Sequence, residues 1–595
     1  MASSDEDEDL KLALALSLHD SPPKQPKRVK TDPKAIDLTS DTEDEDEDMR
    51  RAMALSLGAL KQSASPQQPL TAKLSSAVTC SSPITTGTIP ASSTLHTSSS
   101  TGQSRASGIS GIDRKAMELE RLARLGKRKR EPPPSLPSKQ TASDARVNPD
   151  VQAPSIMSTL EYPRGAIKRT AATNFPRTDD ITIDEVLQAE SLNIAVISSF
   201  MWDSQWLVKK LSPRKVKQIW VMNAKGEDVQ QRWVREMEEA GVPNLKMHFP
   251  PMDGLIHSMH SKLMLLFGKD KLRVVVPSAN MIPFDWGEVP NDWQPGVMEN
   301  SVFLVDLPRR NDRAVGDKKD LTAFGKELVH FLERQEIGTN VADGVRKFDF
   351  AQTGHLAFVH AIGGSHPGES QNPTGLAGLA KAIRDLELDD VKVIEIDYAS
   401  ASLGAINDQF LQRMYLAARG EPFTAASTVS NVRDHFRVYF PTDKAVEKSI
   451  GGRDCGGTIS LCKKYYDAPT FPRECLRNYD STRRGMLSHN KLLFARGIKN
   501  NGKPFAWVYT GSANMSESAW GMQKVLKKTG QVGSLSIRNW ECGVVVPVPK
   551  QKILSLDSSD GKIPPMSVFD GTIEVPFVHP GEAYGDEQPW LFMSG

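Results

Sequence analysis

Aromatic residues are missing from the first quarter of this chain: all 40 Phe, Tyr and Trp side chains of its 595 residues lie from Tyr162 onward. The stretch before them is rich in Ser, Thr, Pro and charge, and it cannot bury enough apolar surface to offset its ordering entropy. Residues 1–155 therefore read as a disordered regulatory tail, and the remainder is long enough for two domains. Cysteine is scarce as well. Cys80, Cys455, Cys462, Cys475 and Cys542 form an odd, widely spaced set without a C-x-x-C pair, which argues against a disulfide framework or a zinc site and favours a reducing compartment. No apolar run approaches a membrane span, and the acidic start is wrong for a secretory signal, so neither a membrane nor a secreted protein is expected.

Net charge is almost absent, with 74 Lys+Arg against 73 Asp+Glu. That balance averages unlike parts. Residues 1–50 carry 15 acidic and 7 basic side chains, and residues 51–150 carry 6 acidic and 14 basic ones. Two acidic runs are followed by apolar, Ala and Ser positions at matching offsets: Leu10, Ala13, Leu14 and Ser17 in 5–20, and Met49, Ala52, Met53 and Ser56 in 44–58. Each suits a short amphipathic helix with acids at its positive end and a small-residue face open to close approach. Both resemble the ubiquitin-interacting motif, which implies ubiquitin as a partner. Ile36-Asp37-Leu38-Thr39, ahead of the acidic run 41–48, resembles a SUMO-interacting segment that would pair as an added strand. Basic clusters at 24–30 and 127–130 read as nuclear-import signals, and 61–110 is Ser/Thr-rich low complexity.

From about 190 onward, short apolar runs alternate with amphipathic stretches. Strands are predicted at 194–201, 218–222 and 245–249, with helices at 204–211 and 227–240; strands at 356–362 and 391–396 and helices at 376–386 and 408–418 repeat the pattern. Such alternation predicts an α/β layered fold. The chain also repeats itself in detail. His260-Ser-Lys262-Leu263, Ser278-Ala-Asn280-Met281 and Trp286-Gly287 recur as His489-Asn-Lys491-Leu492, Ser512-Ala-Asn514-Met515 and Trp520-Gly521. Both copies have the same six-residue step from Asn to Trp, a strong sign of a duplicated unit.

On a strand, His260 and Lys262 share one side, and an antiparallel return through 272–276 delivers Asn280 beside them. The second copy does the same around a turn at Asn500–Lys503 that is five residues longer. An acid-plus-strand element follows each copy, Glu299-Asn300-Ser301-Val302 and Glu541-Cys542-Gly543-Val544. Glu541 is expected to orient a histidine and set its tautomer. Either Glu299 or Asn300 takes that place in the first copy. Two His, two Lys and two Asn in one pocket suit a phosphodiester: Lys and Asn bind the non-bridging oxygens, one His attacks phosphorus, and the other handles protons. The scheme needs no metal or other cofactor.

The arrangement resembles the phospholipase D superfamily, whose two H-x-K motifs form one site across a pseudo-twofold axis. Most of that superfamily carries an Asp five positions after the Lys, where this chain has Phe267 and Arg496. H-x-K with a downstream S-A-N is the variant of the tyrosyl-DNA phosphodiesterase family. Tyr162-Pro163, the segment Phe200–Trp206 and Asn539-Trp540-Glu541 extend the likeness over most of 160–595. The resemblance implies two similar α-β-α sandwich domains, 156–345 and 346–595, related by pseudo-twofold symmetry. It further implies hydrolysis of 3′-phosphotyrosyl bonds in topoisomerase I–DNA adducts, and of other 3′ end-blocking lesions, by a nuclear, monomeric enzyme acting on single- or double-stranded DNA ends. His260 matches the nucleophile and His489 the general acid/base, with Lys262, Lys491, Asn280 and Asn514 on the phosphate. Ser400 and Ser402, with Lys448 and Ser449, resemble family segments that contact DNA. The stretch Ile256–Met259 lacks the aromatic expected before the nucleophile. Two other readings fit the same residues, another phosphodiesterase or nuclease of the superfamily and a non-catalytic ubiquitin/DNA adaptor.

Overall fold

The computed structural model describes residues 160–288, 296–367, 372–424, 428–526, 532–555 and 562–592. The tail segments 5–20, 36–39, 44–58, 24–30 and 127–130 lie outside the described residues.

Seven strands form the core of the first sheet: β1 (Ala166–Thr170), β2 (Leu192–Ser198), β3 (Lys217–Val221), β4 (Leu245–His248), β5 (Leu263–Gly268), β6 (Lys271–Pro277) and β7 (Ser301–Pro308). Seven more form the second: β8 (Ala357–Ala361), β9 (Val391–Ser400), β10 (Phe436–Phe440), β11 (Leu476–Asn478), β12 (Lys491–Lys499), β13 (Pro504–Gly511) and β14 (Asn539–Pro547). The first sheet runs β1-β7-β6-β5-β2-β3-β4, with the two-residue strand Asp180–Ile181 at its edge, and the second runs β8-β14-β13-β12-β9-β10-β11. Adding seven to each label of the first order gives the second. The senses match too: β2, β3 and β4 pair in parallel, as do β9, β10 and β11, and the other pairs along each path are antiparallel. The internal repeat thus extends from a few motif residues to a whole sheet topology, and the α/β fold of two similar halves is the observed one.

Strand faces explain the unbroken apolar runs. Leu263 and Leu265 point into a core shared with Leu492, Phe494 and Val508 of the second sheet, so the two sheets pack face to face. Met264 and Leu266 point the other way, into a core with Leu207 and Leu211 of the helix Ser204–Leu211. Leu493 and Ala495 likewise face Leu379, Ile383, Phe410 and Met414 of the helices Gly375–Asp385 and Asp408–Ala418. A strand buried on both faces needs apolar residues at every position rather than at alternate ones. The helix Ala323–Arg334 fills the inner core with Phe324, Leu328 and Phe331.

The reading of local structure holds closely, with β5, its turn and β6 at the expected places and both outer helices at 204–211 and 408–418. H-x-K differs in one respect: His260, Ser261 and Lys262 precede β5 instead of lying on it. The two-residue strand Ser258–Met259 just before His260 pairs in parallel with Asn539 and Trp540 of the second sheet. Leu487–Ser488, before His489, pairs in parallel with Met298 and Glu299 of the first half. Each histidine is therefore carried across to the opposite half.

Gly511 and Gly543 lie opposite each other where β13 and β14 deliver the site residues. A Cβ at Gly543 would come within 2.2 Å of the Tyr509 ring, and one at Gly511 within 2.4 Å of the Cys542 carbonyl oxygen. Gly543→Ala should cost about 1–3 kcal/mol by overpacking. Thermal or denaturant unfolding checks this, and an unchanged stability would refute the close-approach argument.

Candidate active site

Matching backbone bonds fix the register of the two halves. The His260 N–H donates to Trp540 O at 3.0 Å, and the His489 N–H donates to Glu299 O at 2.9 Å. Ser278 N donates to Ser301 O and Ser512 N to Cys542 O, at 2.8 and 2.9 Å. Lys262 Nζ donates to His260 O at 2.8 Å, and Lys491 Nζ to His489 O at 2.7 Å. Asn300 is therefore the counterpart of Glu541, and Glu299 that of Trp540.

The acids depart from this symmetry. Glu541 Oε2 lies 2.9 Å from His260 Nδ1 and also accepts from Ser512 Oγ at 2.6 Å, while Oε1 accepts from Asn539 Nδ2 at 3.2 Å. An ionised carboxylate only accepts, so Nδ1 carries the proton and Nε2 keeps its lone pair. In the first half, neither residue left open by the sequence reaches a histidine ring. Asn300 instead accepts from Ser278 Oγ at 2.8 Å and donates to Asp285 O at 3.0 Å, and the Glu299 carboxylate lies among Tyr479, Ser481, Arg169 and Arg483. The carboxylate facing His489 Nδ1 is Asp285, with Oδ2 at 3.3 Å. Asp285 escapes the sequence reading. Its one signal is an acid within the shared six-residue Asn-to-Trp step, where the second copy has Ala519. Each histidine thus faces a carboxylate from the opposite half.

Burial dominates the electrostatics. It pushes His260 and His489 down to about 4, with Lys262 and Lys491 adding to the drop at both, so both rings are neutral at pH 7. Lys262, fully buried, is pushed down to about 8, and Lys491 lies well below the usual lysine range through burial and its neighbour Lys262. Burial would raise Asp285, but His489, the Asn280 N–H and Lys491 outweigh it and hold it below the usual carboxylate range. These mutual shifts mark two His, two Lys and two acids as one electrostatic unit. Phe200 closes one side, its ring centroid 5.1 Å from that of His260 and 5.7 Å from Lys262 Nζ.

The two asparagines share one bond, since Asn280 Oδ1 accepts from Met201 N at 3.3 Å as Asn514 Oδ1 does from Ser402 N, and differ in the rest. Asn280 donates from its backbone N and from Nδ2 to Asp285 Oδ2, at 2.7 and 3.1 Å. Asn514 Oδ1 accepts from Ser402 N at 3.2 Å and from Ser400 Oγ at 3.4 Å. Ser400 Oγ also donates to Ser402 O at 2.6 Å and accepts from Met515 N at 3.0 Å. Ser199 makes the equivalent pair of bonds, to Met201 O and from Met281 N, so this hydroxyl shapes a loop in both halves. Lys448 is exposed just beyond the helix Asp443–Glu447, and Ser449 Oγ donates to Val446 O at 2.7 Å. Leu10, Ala13, Leu14, Ser17, Met49, Ala52, Met53 and Ser56 lie outside the described residues. Among the described residues, no three His, Cys, Asp or Glu cluster as a metal site, and no helix is long and apolar enough to cross a membrane.

Solved structures of a yeast tyrosyl-DNA phosphodiesterase share the fold. One is 16% identical with a TM-score of 0.52, covering 72% of this chain and 100% of that one; a histidine-to-asparagine mutant of the yeast protein gives 17%, the same TM-score and the same coverage. Among curated proteins, tyrosyl-DNA phosphodiesterase 1 of Arabidopsis thaliana is 24% identical over 398 residues, which is 64% of this chain and 61% of that protein. A probable tyrosyl-DNA phosphodiesterase of Schizosaccharomyces pombe is 22% identical over 361 residues, 51% of this chain and 66% of that protein. The match therefore spans under two thirds of the length of these curated relatives. Ubiquitin interaction motifs match 5–21 and 44–58, and the tyrosyl-DNA phosphodiesterase model matches 166–585. With that model covering well over half its length, this chain belongs to the tyrosyl-DNA phosphodiesterase family.

Proposed function

We propose that this chain hydrolyses 3′-phosphotyrosyl bonds, as in DNA covalently joined to topoisomerase I, and related 3′ end-blocking groups, through a phosphohistidine in DNA repair. The observation that carries it is the pair of H-x-K histidines, each with Nδ1 facing a carboxylate of the opposite half. In the first step His260 Nε2 attacks phosphorus and the P–O bond to tyrosine breaks. A phenol, with a pKa of about 10, leaves with little help from an acid. An anionic phosphodiester beside His489 raises its proton affinity, so His489 can still donate to the leaving oxygen. In the second step neutral His489 takes a proton from water; the water oxygen bonds to phosphorus, the P–N bond breaks, and a 3′-phosphate leaves with His260 restored.

Lys262 and Lys491 hold the non-bridging oxygens and oppose the charge that builds in each transition state. Asn514, its oxygen occupied by the Ser402 N–H, presents its amide nitrogen to the same oxygens. Asn280 combines that role with support of Asp285. Ser400 and Ser402 make one contact with the DNA backbone, and Lys448 and Ser449 make a second. The tail supplies nuclear import through its basic clusters and binds ubiquitin through the two matched motifs, with Ile36–Thr39 available to SUMO. A near-neutral protein of this kind grips a DNA end locally, because bulk affinity for DNA follows the number of phosphates neutralised.

Purified protein should convert a 3′-phosphotyrosyl oligonucleotide to the 3′-phosphate in excess EDTA; no product would reject the proposal. His489→Ala should slow turnover by about 10²–10⁴-fold and accumulate a covalent DNA adduct. His260→Ala should form none, and an adduct there would reverse the two roles. The pH profile follows from the lysine. Lys262 is protonated below about 8, so kcat/KM should fall above that pH as its positive charge is lost, and a profile flat to well above it would show that this charge is dispensable. In the full chain, joint replacement of Ala13, Ser17, Ala52 and Ser56 should abolish ubiquitin binding while leaving cleavage intact. Calorimetric or NMR titration reads this, and unchanged binding would reject the motif assignment.

A further inference from the structure

Behind His489 lies a buried ionic cluster that the chemistry above does not use. Glu299 is fully buried, with Oε2 accepting from Ser481 Oγ at 3.1 Å and from Tyr479 OH at 3.3 Å. Its Oε1 is 3.6 Å from Arg169 Nη1 and 3.8 Å from Arg483 Nε, too long for hydrogen bonds, and has no hydrogen-bond partner. Both guanidiniums are otherwise engaged across the two halves. Arg483 donates to Thr170 O at 2.7 Å and to Asp180 Oδ2 at 2.8 Å, and Arg169 donates to Thr482 Oγ1 at 3.1 Å and pairs with Glu574 at 2.8 Å.

The cluster brackets His489. The residue before it, Ser488, is register-paired with Glu299, and the His489 N–H bonds the Glu299 carbonyl. The residue after it, Asn490, donates from Nδ2 to Tyr479 OH at 3.5 Å, and that hydroxyl bonds the Glu299 carboxylate. The equivalent position behind His260 is treated differently. Trp540 stands there, buried, its indole N–H on Pro251 O at 3.1 Å and its ring 5.9 Å from Phe331. An apolar residue therefore satisfies this place in the fold. A buried charge with incomplete pairing is a poor way to gain stability, since desolvation can exceed the Coulomb gain.

The two rings also differ in how firmly they are held. His260 has its 2.9 Å bond to Glu541, whereas His489 Nδ1 is 3.3 Å from Asp285 without hydrogen-bond geometry. Placement of the His489 ring depends correspondingly more on its backbone segment. We infer that Glu299, anchored by Arg169 and Arg483, is a positioning residue that holds the Leu487–Asn490 segment so that His489 can activate water in the second step.

This rests on the proposed two-step reaction, and one experiment separates the two. In single-turnover assays on a 3′-phosphotyrosyl oligonucleotide, the wild type reports on the reaction itself: no cleavage would end that reading regardless of Glu299. With cleavage present, Glu299→Gln keeps the size and the oxygen acceptor but drops the charge. It should form the covalent DNA adduct at near the wild-type rate and hydrolyse it about tenfold or more slowly, as expected for a displaced catalytic group. The adduct should then be visible on denaturing gels. Equal slowing of both steps, or an unchanged ratio between them, would overturn the inference. Should Glu299→Gln fail to fold by circular dichroism, Tyr479→Phe removes only the hydroxyl that links Glu299 to Asn490. Slower adduct hydrolysis with unchanged adduct formation would then support the inference, and an unchanged ratio would overturn it.

Discussion

Two short parallel pairings place the whole site. Met259 against Trp540 and Ser488 against Glu299 hold the residues just before the histidines on strands of the other half. Backbone bonds to Trp540 O and Glu299 O then carry that placement to His260 and His489. Everything chemical follows from this crossing. It brings each imidazole to a carboxylate of the other half, and it sets the two lysines close enough that each lowers the proton affinity of both histidines. The shared core of Leu263, Leu265, Leu492 and Phe494 keeps the sheets from sliding. A shift between them would separate both histidines from their acids together.

The sheets are legible in the sequence because their residues repeat. Leu263–Phe267 and its return through 272–276 read as a hairpin, since two apolar runs are separated by the turn residues Gly268–Lys271. His, Lys and Asn are legible for the same reason, since nine identities recur. Asp285 is not, because it breaks the repeat. A search by self-comparison discards a residue whose partner is Ala519, although the asymmetric residue is the one that faces His489. The register of Glu299 and Asn300 is also illegible, because adjacent residues on a strand point to opposite faces and only the backbone bonds of Ser278 and Ser512 show which is which.

Burial gives the site a common electrostatic character. Neutral histidines at pH 7 suit attack on phosphorus and removal of a proton from water. Burial and the charge of Lys262 lower the proton affinity of Lys491, and a phosphodiester between the two lysines would relieve that repulsion. Around this centre the halves have diverged. Glu541 is fixed by Ser512 and Asn539, whereas Asp285 is fixed by Asn280, so the two asparagines of the repeat keep the same loop N–H on Oδ1 but only Asn280 also holds an acid.

The crossing of the histidines bears on the origin of the chain. A single ancestral repeat folded alone would have had a histidine with no segment from a second half to hold it, so a working site would have required two copies meeting across a true twofold axis. In such a dimer the two histidines would have been identical by symmetry, and neither could specialise as nucleophile or as acid. Within one polypeptide that restriction does not hold, and the two halves differ where the chemistry sits, with Asp285 opposite Ala519 and Glu299 opposite Trp540.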